Sequence, residues 1–373
     1  MTWNEGPPSH VRLPDAGWLP DPARSDLERY WSGTAWTSRT RDRVTKIETG
    51  VNPGMARGVE PRVGDPRVGR AKPRWKGRLA VYAPLMVLVV VLGYFGRLPS
   101  FVPWPDALTR PAPSGPAVAY PVFGSDELVE YLAASMVAQE ERIDVAFVNG
   151  PDAAEVVNDA MYEALTQNPY VFVVNWNVWV GPTRLEIEPE YVYDDAEAAR
   201  RRAATAVSVQ QLAAAPEVAA AAGDEAALAT VVHDLVIDAG QYDYGAYDAI
   251  NAGESSSTSA VVARSQEAYG LLGEGTAVCT GYAEAYLLLA DAVGLEAVIV
   301  TGETRSGYTT GGHAWNRVKV DGEWLVIDTT WDDTGSITGR SDYVLLGDTD
   351  SKLGSRTVDL DWVVDGSQTL YGF

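Results

Sequence analysis

Three side chains in the last third of the chain have the types and spacing for nucleophilic catalysis. Cys279 is the only cysteine among 373 residues, and His313 is one of three histidines. Asp328 follows His313 by fifteen positions. A thiol is a useful nucleophile only as thiolate, and at an ordinary pKa of about 8.5 little of it is ionised at neutral pH. A histidine that takes its proton, and a carboxylate that orients the histidine, supply what it lacks.

The surrounding pattern says which elements must position these groups. Cys279 opens an apolar run in which Ala283, Tyr286, Leu287 and Ala290 recur at helical spacing. Thr276 is the expected N-cap and Gly294 the expected stop. A thiol at a helix start meets unpaired N–H groups and the positive end of the helix dipole. The Cys279 N–H is then a candidate oxyanion donor.

Downstream, Asp321-Gly322 separates two alternating runs, a strong hairpin signal. A two-residue turn there pairs Val318 with Leu325 and sets Trp315 opposite Asp328. His313 and Asp328 become diagonal neighbours on one face. Val318, Val320, Leu325 and Ile327 occupy the other face, which reads as core.

These residues carry a resemblance. GxxxCxGYA at Gly275–Ala283, HAWN at His313–Asn316 and WxxIDTTWDD at Trp324–Asp333 together resemble the transglutaminase-like superfamily of papain-type fold. The resemblance covers roughly Ala226 to Leu346, including HDLVID at His233 and the pair Tyr242-Asp243. It implies an α+β fold: a papain-like transglutaminase core, with a Cys-bearing helix packed on an antiparallel sheet bearing His and Asp, preceded by an α/β accessory segment. It implies Cys279, His313 and Asp328 as the catalytic set and acyl transfer through a Cys279 thioester. Water as acceptor makes a protease or amidase, an amine a transglutaminase. Relatives outside animals are mostly protease-like, which favours hydrolysis. No cofactor is implied.

Competing readings weigh differently at each residue. A non-catalytic cell-envelope scaffold that keeps the fold is the alternative in another class. A cell-wall peptidase of a different papain-like family is a second, although the IDTTWDD strand does not fit it. His233 reads as a core or capping histidine, and Trp315 and Trp331 as core. Asp328, Asp332 and Asp333 lack the glycine-bearing twelve-residue calcium loop. One cysteine with one nearby histidine is a poor zinc set, and no phosphate-binding glycine loop occurs.

Charge divides the chain. Residues 1–78 hold 15 Lys/Arg against 9 Asp/Glu, whereas the rest holds 14 against 42, within a total of −22. The acidic remainder excludes nucleic acid as the expected partner. One cysteine excludes an internal disulfide.

Six segments follow. Residues 1–37 hold a small Trp-rich domain, and AGWLPDPARSDLERYWSGTAWT at 16–37 resembles a short domain of unknown function at the N-termini of bacterial membrane proteins. Residues 38–78 read as a basic disordered linker. Residues 79–96, LAVYAPLMVLVVVLGYFG, carry no charge and suit a transmembrane helix. Residues 97–119 form a Pro-rich spacer. Residues 120–224 are the accessory segment and 225–373 the catalytic core. Seven Lys/Arg in 60–78 against two in 97–116 put the N-terminus in the cytoplasm and the acidic domain outside the cell membrane. The expected partners are a protein or peptide substrate, cell-wall peptide included, and the membrane through one helix.

Within the accessory segment, helices are expected at Asp126–Glu140 (capped by Ser125) and Ala153–Gln167. A strand is expected at Ile143–Val148, and a strand pair at Tyr170–Val180 and Arg184–Tyr193. Helices at Ala196–Ala214 (capped by Asp195), Glu225–Ala239 and Ser259–Leu272 follow, with a late strand at Asp342–Leu346.

Overall fold

The computed structural model describes residues 17–20, 27–31, 36–43, 48–49, 115–150, 152–181, 184–306, 309–333 and 340–373. The expected transmembrane helix, the basic cluster before it and most of the Pro-rich spacer lie outside the described residues. Among the described residues no helix is long and apolar enough to cross a membrane. The chain divides into two compact units, Met1–Thr49 and Gly50–Phe373.

The first unit is an antiparallel meander of β1 (Gly17–Pro20), β2 (Leu27–Trp31), β3 (Trp36–Asp42) and β4 (Glu48–Thr49). Trp18 lies opposite Tyr30, and Trp31 opposite Trp36. Its sheet takes in the first residues of the expected linker. Strand pairing uses the backbone, so the polar end of β3 joins without an apolar period.

The second unit begins with α1 (Glu127–Val137), β5 (Ile143–Asp144), α2 (Ala153–Gln167), β6 (Val173–Gly181) and β7 (Arg184–Tyr191). Asp126, not Ser125, caps α1, accepting from the N–H groups of Leu128 and Val129. Ser125 is taken by the buried carboxylate of Glu163. Only two residues of the expected 143–148 strand pair.

Helices α3 (Asp195–Ala213), α4 (Pro216–Ala221) and α5 (Glu225–Asp238) follow. The cap of α3 is Asp194, one residue earlier than expected. Then come β8 (Gln241–Tyr242), α6 (Tyr244–Asn251), α7 (Ala260–Ser265), α8 (Ala268–Glu274) and β9 (Thr276–Ala277). The single helix expected over 259–272 is therefore two. It breaks at Gln266-Glu267, where Glu267 turns inward to bond Tyr193 at 2.6 Å and Arg201 at 2.8 Å.

The remaining elements build the site. They are α9 (Cys279–Ala292), β10 (Ala297–Ser306), β11 (Thr309–Val320), β12 (Glu323–Ile327), α10 (Thr329–Asp332) and β13 (Arg356–Asp359). The sheet is antiparallel in the order β12-β11-β10-β13. The hairpin turns at Asp321 (φ 50°) and Gly322 (φ 86°). Both lie in the left-handed region that a two-residue I′ turn requires. Val318 pairs with Leu325, the register expected from the turn.

Helix α9 is buried almost all round. Ala283 and Leu287 pack on Ile299 and Ala314 of the sheet. Tyr282, Tyr286, Leu288 and Leu289 join a larger core that continues to Val129 in α1 and Val173 in β6. Each fully buried Leu of this kind stabilises by about 1.5–3 kcal/mol. The fold is thus α+β, with a Cys-bearing helix packed on an antiparallel sheet. The late strand expected at 342–346 shrinks to a bridge between Leu346 and Val326. The fourth strand, β13, comes from a stretch with no expected element.

Candidate active site

Cys279 is the first residue of α9. Its cap is Val278, whose N–H bonds the Ser265 carbonyl at 2.8 Å. Thr276 is not the cap, because β9 pairs in parallel with β8 and draws Thr276 opposite Gln241. Two residues after Cys279, Gly281 allows the helix start to sit against the α7–α8 break. A Cβ there would lie 2.7 Å from the Glu267 carbonyl oxygen and 3.0 Å from that of Ser265. The helix is tied to the sheet by Asn316, fully buried, whose amide donates to the carbonyls of Ala283 at 3.0 Å and Val298 at 3.3 Å.

His313 lies in β11, on the strand face opposite that of Ala314 and Asn316, which meet α9. Its Nε2 is 2.8 Å from Asp328 Oδ2, and its ring is close enough to Cys279 for each group to shift the other's titration. With Nε2 committed to the carboxylate, Nδ1 is the nitrogen left for the thiol. The ring is flanked by Trp315 (centroids 5.8 Å) and Trp331 (5.4 Å). The two tryptophans wall the imidazole plane; Trp315 is also a core residue, as expected, whereas Trp331 is half-buried and belongs to no apolar core.

Asp328 sits one position beyond the end of β12, not in the strand. Its N–H bonds the Tyr343 carbonyl at 3.0 Å, and its Oδ1 caps α10 by accepting from the Trp331 N–H. Oδ2 accepts from His313 and also from Arg356 at 2.6 Å. Arg356, in β13, lies outside every motif of the sequence. Its guanidinium lies 4.4 Å from the Trp331 ring centroid and 5.0 Å from that of Trp315. Aromatic faces replace part of the hydration it gives up.

The electrostatics follow from this packing. Burial pushes the Cys279 thiol pKa up, but the hydrogen bond and charge of His313 and the Ala314 N–H more than reverse it, leaving the thiol below its ordinary range. Burial works against the imidazolium, yet Asp328 and Cys279 raise His313 to about 9. Burial raises Asp328, and His313, Arg356 and the Trp331 N–H outweigh it, so its carboxyl is held low. These directions favour a thiolate–imidazolium pair at neutral pH.

The other motif residues hold this arrangement. His233 is fully buried in α5, with Nε2 3.1 Å from Asp332 Oδ2. Asp332 also accepts from the N–H groups of Asp342 and Tyr343, and Tyr343 in turn receives the Asp328 N–H. His233 is thus a support for the loop behind Asp328, the core histidine expected. The Tyr282 hydroxyl donates to Asp333, joining the helix motif to the WDD motif. Among the described residues no group of three or more His, Cys, Asp or Glu side chains could hold a metal ion.

Residues 213–329 match the family model of the transglutaminase-like superfamily, so the core is a transglutaminase-like domain. Residues 16–48 match that of a protein family of unknown function, DUF2510. No curated protein matches the chain. Solved structures that are similar to part of the chain include the following. One is a TGase, at 18% identity and TM-score 0.29, over 45% of this chain and 45% of that one. Another is a candidate cysteine protease from Cytophaga hutchinsonii, at 15% and 0.26, over 43% and 41%. A third is a candidate protease from Parabacteroides distasonis, at 8% and 0.24, over 41% and 35%. The chain spans less than half the length of each.

Proposed function

We propose that the protein is a membrane-anchored cysteine enzyme that cleaves or transfers a peptide or carboxamide acyl group through a Cys279 thioester. The observation that carries this reading is the single chain of contacts from Cys279 through His313 to Asp328. In the proposed reaction the Cys279 thiolate attacks the carbonyl carbon. The His313 imidazolium protonates the departing amine, and Asp328 holds the ring and stabilises its charge. The neutral imidazole then draws a proton from water or from an acceptor amine, which attacks the thioester and frees Cys279. Hydrolysis, by a protease or amidase, is the favoured outcome, and peptides of the cell wall are among the candidate substrates.

The site supports catalysis over a scaffold role because it bears costs a scaffold has no use for. A buried carboxylate, a buried guanidinium and a desolvated imidazolium each carry a desolvation penalty. The anchor rests on the apolar run 79–96 and its basic flank, which put the acidic domain outside the cell. The test is incubation of the full chain with a thiol-directed amide-mimic probe, followed by peptide mapping. Labelling of Cys279 is expected, abolished by His313→Ala. No labelling at any pH would favour the scaffold.

A further inference from the structure

The sheet face that carries His313 also carries a cation, set there by strand register. His313, Gly302 and Val358 lie opposite one another across β11, β10 and β13. Side chains alternate along a strand, so Arg356, two residues from Val358, shares their face. Gly302 puts no side chain between them, and a Cβ there would lie 2.8 Å from the Trp315 ring. Arg356 Nη2 donates to Asp328 Oδ2 at 2.6 Å, the same oxygen that His313 Nε2 meets at 2.8 Å.

This contact differs from an ordinary structural ion pair. Arginine and carboxylate commonly pair through two parallel bonds. Here the other oxygen, Oδ1, is turned to the Trp331 N–H. The Arg356 side chain is 3% exposed, and among the described residues its buried Nε and Nη1 have no hydrogen-bond partner. Three aromatic faces hold the guanidinium instead: Trp331 at 4.4 Å, Trp315 at 5.0 Å and Tyr343 at 5.2 Å. Its one side-chain hydrogen bond among the described residues thus falls on the oxygen that holds the imidazole.

We propose that Arg356 is a positioning residue of the acyl-transfer site: by drawing on the Asp328 Oδ2 charge, it stops the carboxylate from holding the imidazolium proton too tightly to be given to the leaving amine. The proposal rests on the acyl-transfer reading above. As the tetrahedral intermediate collapses, C=O re-forms and the C–N electron pair goes to nitrogen. The imidazolium proton passes to that nitrogen, leaving a thioester, a neutral amine and a neutral imidazole. An acid serves this step best when its proton affinity lies near the working pH. A buried carboxylate drives that affinity up, and a like charge within about 4–6 Å drives it back. Two donors that share one oxygen lie within this range. The other titratable groups around Asp328 are Tyr343 and, behind α10, Asp332 with His233 of α5. Lys352, paired with Asp342, lies beyond the Tyr343 ring at 5.9 Å, and Cys279 of α9 neighbours His313.

The test is an NMR titration of the full chain carrying nitrogen-15 histidine. The chain has three histidines, and the His313 signal is the one lost in His313→Ala. In wild type it should titrate at about 9. Arg356→Met removes the charge and leaves an apolar side chain among the aromatic faces. It should raise the midpoint by about one pH unit or more, a proton held at least about tenfold more tightly. Arg356→Gln, which keeps a donor without the charge, should raise it too.

An unmoved midpoint in these variants, whatever their melting temperature, would overturn the proposal and make Arg356 a structural residue. A midpoint that falls toward the ordinary value of about 6.5 would also overturn it, because Arg356 would then act by excluding water. If one variant fails to fold, the other decides, and failure of both makes the residue structural. The titration uses no substrate, so it can overturn this role while wild-type Cys279 still takes the amide-mimic probe. An unlabelled wild type fails the acyl-transfer reading instead.

Discussion

Asp328 faces two cations, His313 and Arg356, and this decides what its loss would do. Asp328→Asn removes the charge that raises His313 to about 9. The imidazolium is present below that pKa and lost above it, so the alkaline limb of activity should move down from about 9 toward the ordinary histidine value of about 6.5. Turnover should fall by roughly 10²–10⁴-fold, less than in Cys279→Ala. The variant should also melt early, because Arg356 is left as a buried charge without its carboxylate, a loss of roughly 3 kcal/mol. A pH–rate profile and a denaturant titration check the two halves. An unmoved alkaline limb would exclude the orienting role. Cys279, His313 and Asp328 were legible in the sequence because each sits inside a local motif. Arg356 was not, because it reaches Asp328 from a short strand 28 residues further on, flanked by no motif.

The hairpin β11–β12 was legible for a local reason: a two-residue turn and strict alternation determine register without help from the rest of the chain. The approach to α9 was not. Its start is shaped by contacts across the chain, with β8 drawing Thr276 into a sheet and Glu267 breaking a helix to reach Arg201. Gly281 is where these contacts converge. Gly281→Ala would place a Cβ 2.7 Å from both the Glu267 carbonyl oxygen and the Ala277 Cβ. Backbone has to move, at a cost of roughly 1–3 kcal/mol. Because the displaced segment is the first turn of α9, the Cys279 alkylation rate at pH 6 should drop along with the unfolding midpoint. A lowered midpoint with an unchanged alkylation rate would show that the glycine serves packing alone.

Across the whole molecule, charge and hydropathy separate what lies on each side of residues 79–96. The strongly acidic remainder follows a basic, Pro- and Gly-rich N-terminal stretch. The positive-inside rule then predicts that protease added to spheroplasts removes the acidic domain and spares residues 1–70. Protection of the acidic domain would reverse the orientation. Composition marks a small Trp-rich domain at residues 1–37, whereas the first compact unit runs to Thr49. The joining of residues 120–224 to the later helices and sheet was not legible, since that continuity depends on which apolar faces meet in one core rather than on any local signal.

The central claim is that Cys279 and His313 form a thiolate–imidazolium pair, and the pH dependence of Cys279 alkylation by iodoacetamide tests it most directly. If the pair exists, the rate at pH 6 stays close to that at pH 8. In His313→Ala it should instead fall about tenfold for each unit below the ordinary thiol pKa of about 8.5. A wild-type rate that falls with that same slope, coinciding with His313→Ala, would contradict the account.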